Sequence, residues 1–465
     1  MNDIQNKAQH PIRVAIVGHT NTGKTSLIRT LLRDEKFGEI NDDAGTTRHV
    51  EKTQILADEQ EILSLFDTPG FEDSTALLQL LKQIESSRET DTPREVLQAF
   101  LDQAEHYPDF AQETKVLRQS LQSDVLLYII DVREPVLGKY SDEIEILSMA
   151  GKPILPVFNF IEDNREELER WREQMAKFNL HAALEFDSVA FDFESEKRLY
   201  QKLQSLIESR YDSLQVLLDY RLKVWEQLID AAVKRILRML INVASYRVEV
   251  DANRGPTERE LENMQNHVRR LEQQTLSDLL KIFAFTKTDT ELQQIPIKNG
   301  EWEVDIFSPH VLKEFGQTAG ASALKGATAG AGIDLMVGGM SLGAAAALGA
   351  VVGAGLSAAK RWQREIKAAF SGNKWLCVND ETMNVLYLRQ QELLQTLTHR
   401  GHAAQQKVTL AKKSKYLLPK GWSRFVVTLR QHPEWADSHT ADTQYDVLES
   451  QFRAWLLTIP DSTVN

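Results

Sequence analysis

The chain has little cysteine: one residue, Cys377, in 465. That excludes an internal disulfide and suits a reducing compartment. Cys377 has neither a metal-ligand nor a nucleophile context, so packing is its expected role. Residues 1–7 lack the apolar core of a secretory signal, which points to a cytoplasmic protein. Excess positive charge is missing too: 54 Lys and Arg against 67 Asp and Glu leave a net charge of −13, which argues against a chain broadly coated by nucleic acid. Three local absences mark regions of their own. Residues 213–245 contain no Pro or Gly, residues 335–359 no charge, and residues 393–433 no acidic side chain. The length implies two or more domains.

What is present near the start carries chemistry. Gly18-His19-Thr20-Asn21-Thr22-Gly23-Lys24-Thr25 fits G-x-x-x-x-G-K-[ST]. Residues 12–17 read as a buried strand before it, and residues 26–32 as the start of a helix after it. Such a turn gathers backbone N–H groups at one point, where the helix dipole also favours negative charge. Asn21, Thr22, Gly23, Lys24, Thr25 and Ser26 are therefore candidate nucleotide-binding residues. Lys24 would reach the β- and γ-phosphates, and the Thr25 hydroxyl would bind Mg²⁺. Ala44-Gly45-Thr46-Thr47-Arg48-His49 stands where a switch loop would add a Mg²⁺ ligand, Thr46 or Thr47. Residues 62–66 read as a strand running into Asp67-Thr68-Pro69-Gly70. Asp67 would hold Mg²⁺ through water, and the Gly70 N–H would sense the γ-phosphate. Lys24, Thr47, Asp67 and Gly70 form the expected catalytic set.

In this order the elements resemble the Era/TrmE-like branch of translation-factor-class GTPases, whose switch often reads Gly-Thr-Thr-Arg followed by Asp or His. The resemblance spans roughly residues 10–210. It implies an α/β P-loop GTPase domain, a mostly parallel sheet flanked by helices, that binds GTP or GDP with Mg²⁺. The base-reading end departs from the family. Where Asn-Lys-x-Asp is expected after the strand 153–158, the chain has Asn159-Phe160-Ile161-Glu162, then Asp163. Asn159 is in place, the Lys that stacks under the base is lost, and either acid would have to meet the guanine edge. The last family motif, Ser-Ala-Lys, is at best Ser188-Val189-Ala190. Asn159, Glu162 and Ser188 are the base-side candidates; guanine follows by analogy, and ATP stays open.

Two positions speak to rate. Phe71 occupies the slot of a water-orienting Gln, and a phenyl ring orients no water, so intrinsic hydrolysis should be slow. Asn21 occupies a slot that potassium-activated members of this branch fill with Asn, where it helps hold K⁺ beside the phosphates. Equally, Asn21 suits a tight loop conformation.

Residues of about 74–123 separate Asp67–Gly70 from the next strand, 125–131. They are polar with helical apolar spacing (Val96, Phe100, Val116, Leu117, Leu121), a helical insertion in or just after switch II. It is either solvated padding or a carrier of the γ-phosphate state to another surface. The GTPase domain is expected over 1–210, a long-helix region over 211–300, a glycine-zipper hairpin over 301–375 and a basic helical region over 376–465. Residues 213–245 as one helix would reach about 50 Å. A second run, 257–285, opens on Thr257-Glu258-Arg259-Glu260 behind a Gly255-Pro256 break. Two antiparallel helices are the ordinary expectation, a nucleotide-driven stalk the sharper one.

Residues 316–359 are almost wholly small or aliphatic, with pairs Gly316/Gly320, Gly326/Gly330, Gly339/Gly343 and Gly349/Gly353 that let helix backbones approach closely. The uncharged arm 335–359 is long enough to cross a bilayer, with Asp334 as the expected hairpin tip. The basic flank from Lys360 and a cytoplasmic GTPase domain fit a re-entrant or spanning hairpin, or a hairpin buried in the protein. Arg400, Lys407, Lys412, Lys413, Lys415, Lys420, Arg424 and Arg430, interleaved with Tyr416, Trp422 and Phe425, suit an anionic membrane surface, RNA, or an acidic face of the same chain. The string Glu301–Pro309 followed by the glycine-rich run resembles the C-terminal region of a little-characterised bacterial family that joins an Era-like domain to a glycine-zipper domain of unknown function. The resulting reading is a Mg²⁺-dependent GTPase coupling its switches to a glycine-zipper region at the inner face of a membrane. An RNA- or ribosome-associated assembly GTPase and a non-hydrolysing nucleotide-gated scaffold compete with it. A homo-oligomer is left open.

Overall fold

The computed structural model describes residues 10–32, 50–87, 92–161, 164–186, 193–251, 256–283, 297–298, 300–308, 333–337, 340–341, 374–398, 418–436 and 443–457. The chain divides into two compact units, the first running to Trp225 and the second beginning at Glu226.

Unit 1 is a six-stranded sheet with helices on both faces. Its strands are β1 (Ile12–Val17), β2 (Glu51–Ala57), β3 (Gln60–Asp67), β4 (Val125–Asp131), β5 (Ile154–Asn159) and β6 (Leu184–Glu185), in the order β2-β3-β1-β4-β5-β6. Only β2 pairs antiparallel, with β3; the other pairings are parallel. The central strands are largely apolar because both of their faces are covered. Side-chain alternation splits them between two cores. Ala15 and Val17 of β1, with Leu126, Tyr128 and Ile130 of β4, face one core. Ile12, Val14 and Ile16, with Val125, Leu127 and Ile129, face the other.

The second of these cores is closed by α1 (Lys24–Leu32). The first is closed by α2 (Ser74–Ser86), α3 (Pro93–Asp102), α4 (Ala111–Gln122), α5 (Gly138–Ser148) and α6 (Arg165–Lys177). Helices α2 to α4 fill the stretch between β3 and β4. They are not solvated padding: Leu77, Leu81, Val96, Phe100, Val116 and Leu117 are wholly buried in the shared core. Helix α3 opens on a capping box, Thr92 with Glu95, and places Pro93 in its first turn, where the missing N–H is harmless. Helix α7 (Phe193–Leu206) adds Leu199, Tyr200 and Leu203 to the second core, as does the start of α8 (Tyr211–Ser245) through Leu214, Leu217 and Leu218.

In unit 2 the later part of α8 lies beside α9 (Glu258–Ile282). Arg235 pairs with Asp278 at 2.7 Å and Tyr246 stacks on His267 at 3.8 Å, so the two helices run antiparallel, as the periodicity predicts. Thr257 and Glu260 form the capping box expected at the start of α9. The remaining elements include strands that the sequence reading did not foresee. These are β7 (Val248–Val250), the pair β8 (Ile297–Lys298) and β9 (Glu301–Trp302), β10 (Ile333–Val337), β11 (Met340–Ser341) and β12 (Lys374–Val378).

This corrects the glycine-zipper hairpin over its described residues. Strands β11-β10-β12-β7 form an antiparallel sheet in which Asp334 pairs with Cys377 rather than marking a helical tip, and Leu335 belongs to a strand rather than to a spanning arm. The physical reason is legible afterwards. Ile333–Val337 and Met340–Leu342, each mostly large apolar residues with one polar residue among them, flank Gly338-Gly339, a two-residue hairpin signal that the small-residue spacing obscured. Residues 309–332 and 342–373, with most of the zipper pairs, lie outside the described residues. No helix among the described residues is long and apolar enough to cross a membrane.

The chain continues in α10 (Asp380–Thr398), α11 (Trp422–Gln431) and α12 (Thr443–Leu457). Here Arg430 takes the partner within the same chain that was one of three expected for the basic stretch, and Trp422 and Phe425 are corrected from surface to core. Trp422 and Phe425 are buried and stack at 5.5 Å, within a cluster that takes in Tyr387, Phe452 and Trp455. Arg430 is buried too; it pairs with Asp380 at 2.7 Å and donates to the Val378 carbonyl at 2.9 Å. A buried guanidinium needs a partner, and an acid of the same unit provides one. Lys420 and Arg424 are exposed, whereas 399–417 lies outside the described residues.

Candidate nucleotide-binding site

Strand β1 ends at Val17 and the chain turns over six residues into α1 at Lys24. Gly18 takes φ +142°, and a Cβ there would lie 2.6 Å from the Ile129 carbonyl oxygen, so nothing larger than glycine fits. Asn21 adopts a left-handed φ of +61°, which Asn tolerates better than most residues. That is the loop-geometry role expected for it. Lys24 curls back over the loop, its Nζ donating to the carbonyls of His19 (2.6 Å) and Gly18 (3.3 Å). Burial lowers the Lys24 ammonium to about 8, against the pull of the Asp67 and Glu143 carboxylates. A buried cation beneath a loop of N–H groups is built to exchange carbonyl partners for phosphate oxygens.

Asp67 ends β3 beside β1 and is buried. The Thr25 hydroxyl donates to Asp67 Oδ2 at 2.6 Å. Two hard oxygens, one from the first turn of α1 and one from the end of β3, thus meet at one point, a donor set of the kind Mg²⁺ takes when phosphates and water complete its shell. Among the described residues no group of three or more His, Cys, Asp or Glu could hold a metal ion. A phosphate-bound Mg²⁺ needs only one or two protein ligands. Thr68 is buried and donates to the Ile16 carbonyl at 2.7 Å, tying the turn after β3 to β1. Gly70 lies against the loop: a Cβ there would sit 2.5 Å from the Thr20 nitrogen. Phe71 follows with its ring wholly buried and its N–H donating to the Gly18 carbonyl at 3.2 Å.

Asn159 ends β5, is buried, and donates from Nδ2 to the Thr22 carbonyl at 2.9 Å. Thr22 in turn donates to the His19 carbonyl at 3.1 Å. The base-side strand end is therefore wired to the phosphate loop across a long sequence separation. Phe160 takes φ +56°, and the Arg133 guanidinium lies 3.8 Å above its ring while gripping Asp131 at 2.9 and 2.7 Å. Strain in an aromatic residue at a strand's carboxyl end fits a functional position.

Of the expected residues, Asn21, Thr22, Gly23, Lys24, Thr25, Asp67, Gly70 and Asn159 converge at the carboxyl ends of β1, β3 and β5, and Ser26 sits in the first turn of α1. Thr46, Thr47, Glu162 and Ser188 lie outside the described residues.

Two buried carboxylates escaped the sequence reading. Glu143 on α5 accepts from His19 Nδ1 and from the Tyr128 hydroxyl, each at 2.8 Å, while Lys139 Nζ meets His19 Nε2 at 2.8 Å. Glu113 on α4 accepts the N–H groups of Glu72 (2.8 Å) and Asp73 (3.1 Å). Both residues had a signal: each falls in phase with the apolar stripe of its helix, Glu143 with Tyr140 and Leu147, Glu113 with Val116, Leu117 and Ser120. Burying a carboxylate without hydrogen bonds costs several kcal/mol, so an acid in phase with a core stripe announces a partner.

Residues 13–160 match the model of a family described as "50S ribosome-binding GTPase", and residues 172–454 match that of a "Domain of unknown function (DUF3482)". The GTPase Der of Nautilia profundicola is 33% identical over 166 residues, 34% of this chain and 28% of that protein. The GTPase Era of Campylobacter jejuni subsp. jejuni is 28% identical over 246 residues, 52% of this chain and 79% of that protein. The chain thus spans less than a third of the Der relatives it matches. A crystal structure of Era in complex with MgGDPNP and nucleotides 1506–1542 of 16S ribosomal RNA aligns at a TM-score of 0.30 and 20% identity, over 42% of this chain and 56% of that one. With its model spanning more than half of the chain, the DUF3482 family is the one to which this protein belongs, and a P-loop domain of the Era and Der GTPase type precedes that region.

Proposed function

We propose that the chain binds GTP and GDP on the Gly18–Thr25 loop and hydrolyses GTP slowly, passing nucleotide state to its DUF3482 region. The carrying observation is the meeting of Thr25 and Asp67 at 2.6 Å beside the buried Lys24. Lys24 would pair with the β- and γ-phosphates. Thr25 and Asp67, with Thr46 or Thr47, would hold Mg²⁺, which supplies positive charge to the phosphoryl oxygens. The backbone N–H of Gly70 would face the γ-phosphate from a position that admits no side chain. Asn159 would hold the base side of the loop, Glu162 or Asp163 would meet the guanine edge, and Ser188 would complete that end.

Phe71 is sealed in the core, so it supplies no water-orienting group, and slow turnover follows. Asn21 is the residue for a K⁺ effect. The described part of the chain gives little support to a membrane role, because Trp422, Phe425 and Arg430 are spent on packing. That role rests on 342–373 and 399–417, at the inner face of a cell membrane. The ribosome-associated reading draws on the description of the matched family. Fluorescent GDP titration with single-turnover GTP hydrolysis tests the core proposal. Failure to bind either nucleotide at millimolar Mg²⁺ would sink it, while binding without turnover would favour a nucleotide-gated scaffold. Co-sedimentation with anionic liposomes against ribosomal subunits separates the two sites of action.

A further inference from the structure

The segment behind Gly70 is anchored residue by residue. The Phe71 ring is wholly buried, and its N–H donates to the Gly18 carbonyl. Glu72 and Asp73 give their N–H groups to one oxygen, Oε1 of Glu113, at 2.8 and 3.1 Å. Asp73 then caps α2 by accepting the Ala76 N–H at 2.9 Å. Ser74 donates to the Lys139 carbonyl at 2.9 Å, and Thr75 to Asp142 at 2.6 Å. Glu113 is 1% exposed, and its second oxygen is buried without a hydrogen bond. Its hydrogen bonding is therefore spent on α2, where the helix dipole also favours a carboxylate.

In switch GTPases this segment is drawn in by the γ-phosphate and released on hydrolysis. A ligand shifts such an equilibrium only by its differential affinity for the two arrangements. Here a single N–H···phosphate contact would act on a segment already fixed by a buried ring, two charge-assisted backbone bonds and two side-chain anchors. Four of these contacts are made to residues outside the Gly18–Thr25 loop, two of them to Glu113 of the insertion between β3 and β4.

We infer that Glu113 is a positioning residue for Asp67–Gly70: the 74–123 insertion clamps the segment behind Gly70, so its N–H is preset in the phosphate site in both nucleotide states. The inference rests on the nucleotide-site reading above. Movement between GDP and GTP then belongs to other segments, and the insertion acts as a brace, not as the moving part.

Residue-resolved amide exchange on the full chain tests this with GDP, with a non-hydrolysable GTP analogue and without nucleotide. The Glu72 and Asp73 amides should be equally protected in all three conditions. Glu113→Ala should expose both amides and lower kcat roughly tenfold while GDP Kd stays within about twofold. Glu113→Gln, which keeps a carbonyl acceptor, should restore most of the protection and rate. Protection that appears only with the GTP analogue, or a Glu113→Ala protein with wild-type exchange, overturns the clamp. If Glu113→Ala fails to fold, the wild-type protein carries the test, since Glu72 and Asp73 protection that differs among the three nucleotide conditions refutes the clamp. A chain that binds no nucleotide fails the proposed function instead, and its nucleotide-free exchange still decides the clamp.

Discussion

Both units bury carboxylates, and those around the nucleotide loop of unit 1 are compensated differently from Glu272 in unit 2. In unit 2, Glu272 meets Arg389 at 3.1 Å, and Trp302 covers that guanidinium at 4.0 Å. Burial pushes the Glu272 carboxyl up while Arg389 pulls it down. Around the Gly18–Thr25 loop of unit 1, the compensating groups are dipoles: two backbone N–H groups for Glu113, an imidazole and a phenol for Glu143, a hydroxyl for Asp67; away from it, Glu196 of the same unit pairs with Arg221 at 3.3 Å. A fixed guanidinium cancels the field of its partner. Dipoles leave much of the charge free to act on a third group, and Asp67 and Glu143 are the two carboxylates that hold a proton on Lys24. The buried Glu272–Arg389 pair thus braces packing, whereas the buried carboxylates beside the Gly18–Thr25 loop polarise a site.

The comparison breaks if Arg389 matters to nucleotide binding or Lys24 to folding. Arg389→Ala should cost about 3–5 kcal/mol of stability by stranding Glu272, with GDP affinity per folded molecule unchanged; joint replacement of Arg389 and Glu272 by apolar residues should recover most of it. Urea denaturation and GDP titration read the two arms. Lys24→Ala should weaken GDP and GTP binding by roughly 2–5 kcal/mol, the range for truncating one partner of a buried charge pair, with the fold retained. Isothermal titration decides it.

Asp67→Asn should lower Mg²⁺-dependent turnover by roughly 10²-fold, more than it weakens GDP binding, because it removes charge from the metal position. Unchanged kcat at saturating Mg²⁺ would mean Asp67 is a fold residue. A smaller effect is expected from pH. With Lys24 at about 8, affinity for GDP should fall about tenfold from pH 7 to 9, with proton uptake on binding near pH 8. Stability has the opposite sign: the folded value lies below the unfolded one, so Lys24 makes stability rise as pH climbs from about 8 to about 10.5. The smallest effect is a rate increase in KCl over NaCl, erased by Asn21→Ala. Equal rates would leave Asn21 with its φ of +61° as its whole explanation.

Much of unit 1 was legible because its signals are local. The Gly18–Thr25 loop needs glycine at Gly18 for a backbone reason, Asp67 stands at a strand end, and apolar strands covered on both faces announce themselves. The helices 213–245 and 257–285 were legible for the same reason, since periodicity and a capping box are written within a few turns. The β10–β11 hairpin was misread because small-residue spacing fits both a helix contact and a glycine turn, and only pairing with Lys374–Val378 separates them. The partners of Glu113 and Glu143 were unreadable, since each meets groups far away in the chain.

The sequence by itself determined a phosphate-binding loop, a likeness to Era-type GTPases that weakens at Phe160, and two long helices, because each depends on contacts within one strand–turn–helix or one helix face. The tertiary structure alone decided that Phe71 is sealed in the core, that Asn159 is wired to Thr22, that Arg430 is spent on Asp380 and that the insertion grips Glu72 and Asp73. Those outcomes turn on which buried polar group finds which partner across the fold, and desolvation forces each of them to find one.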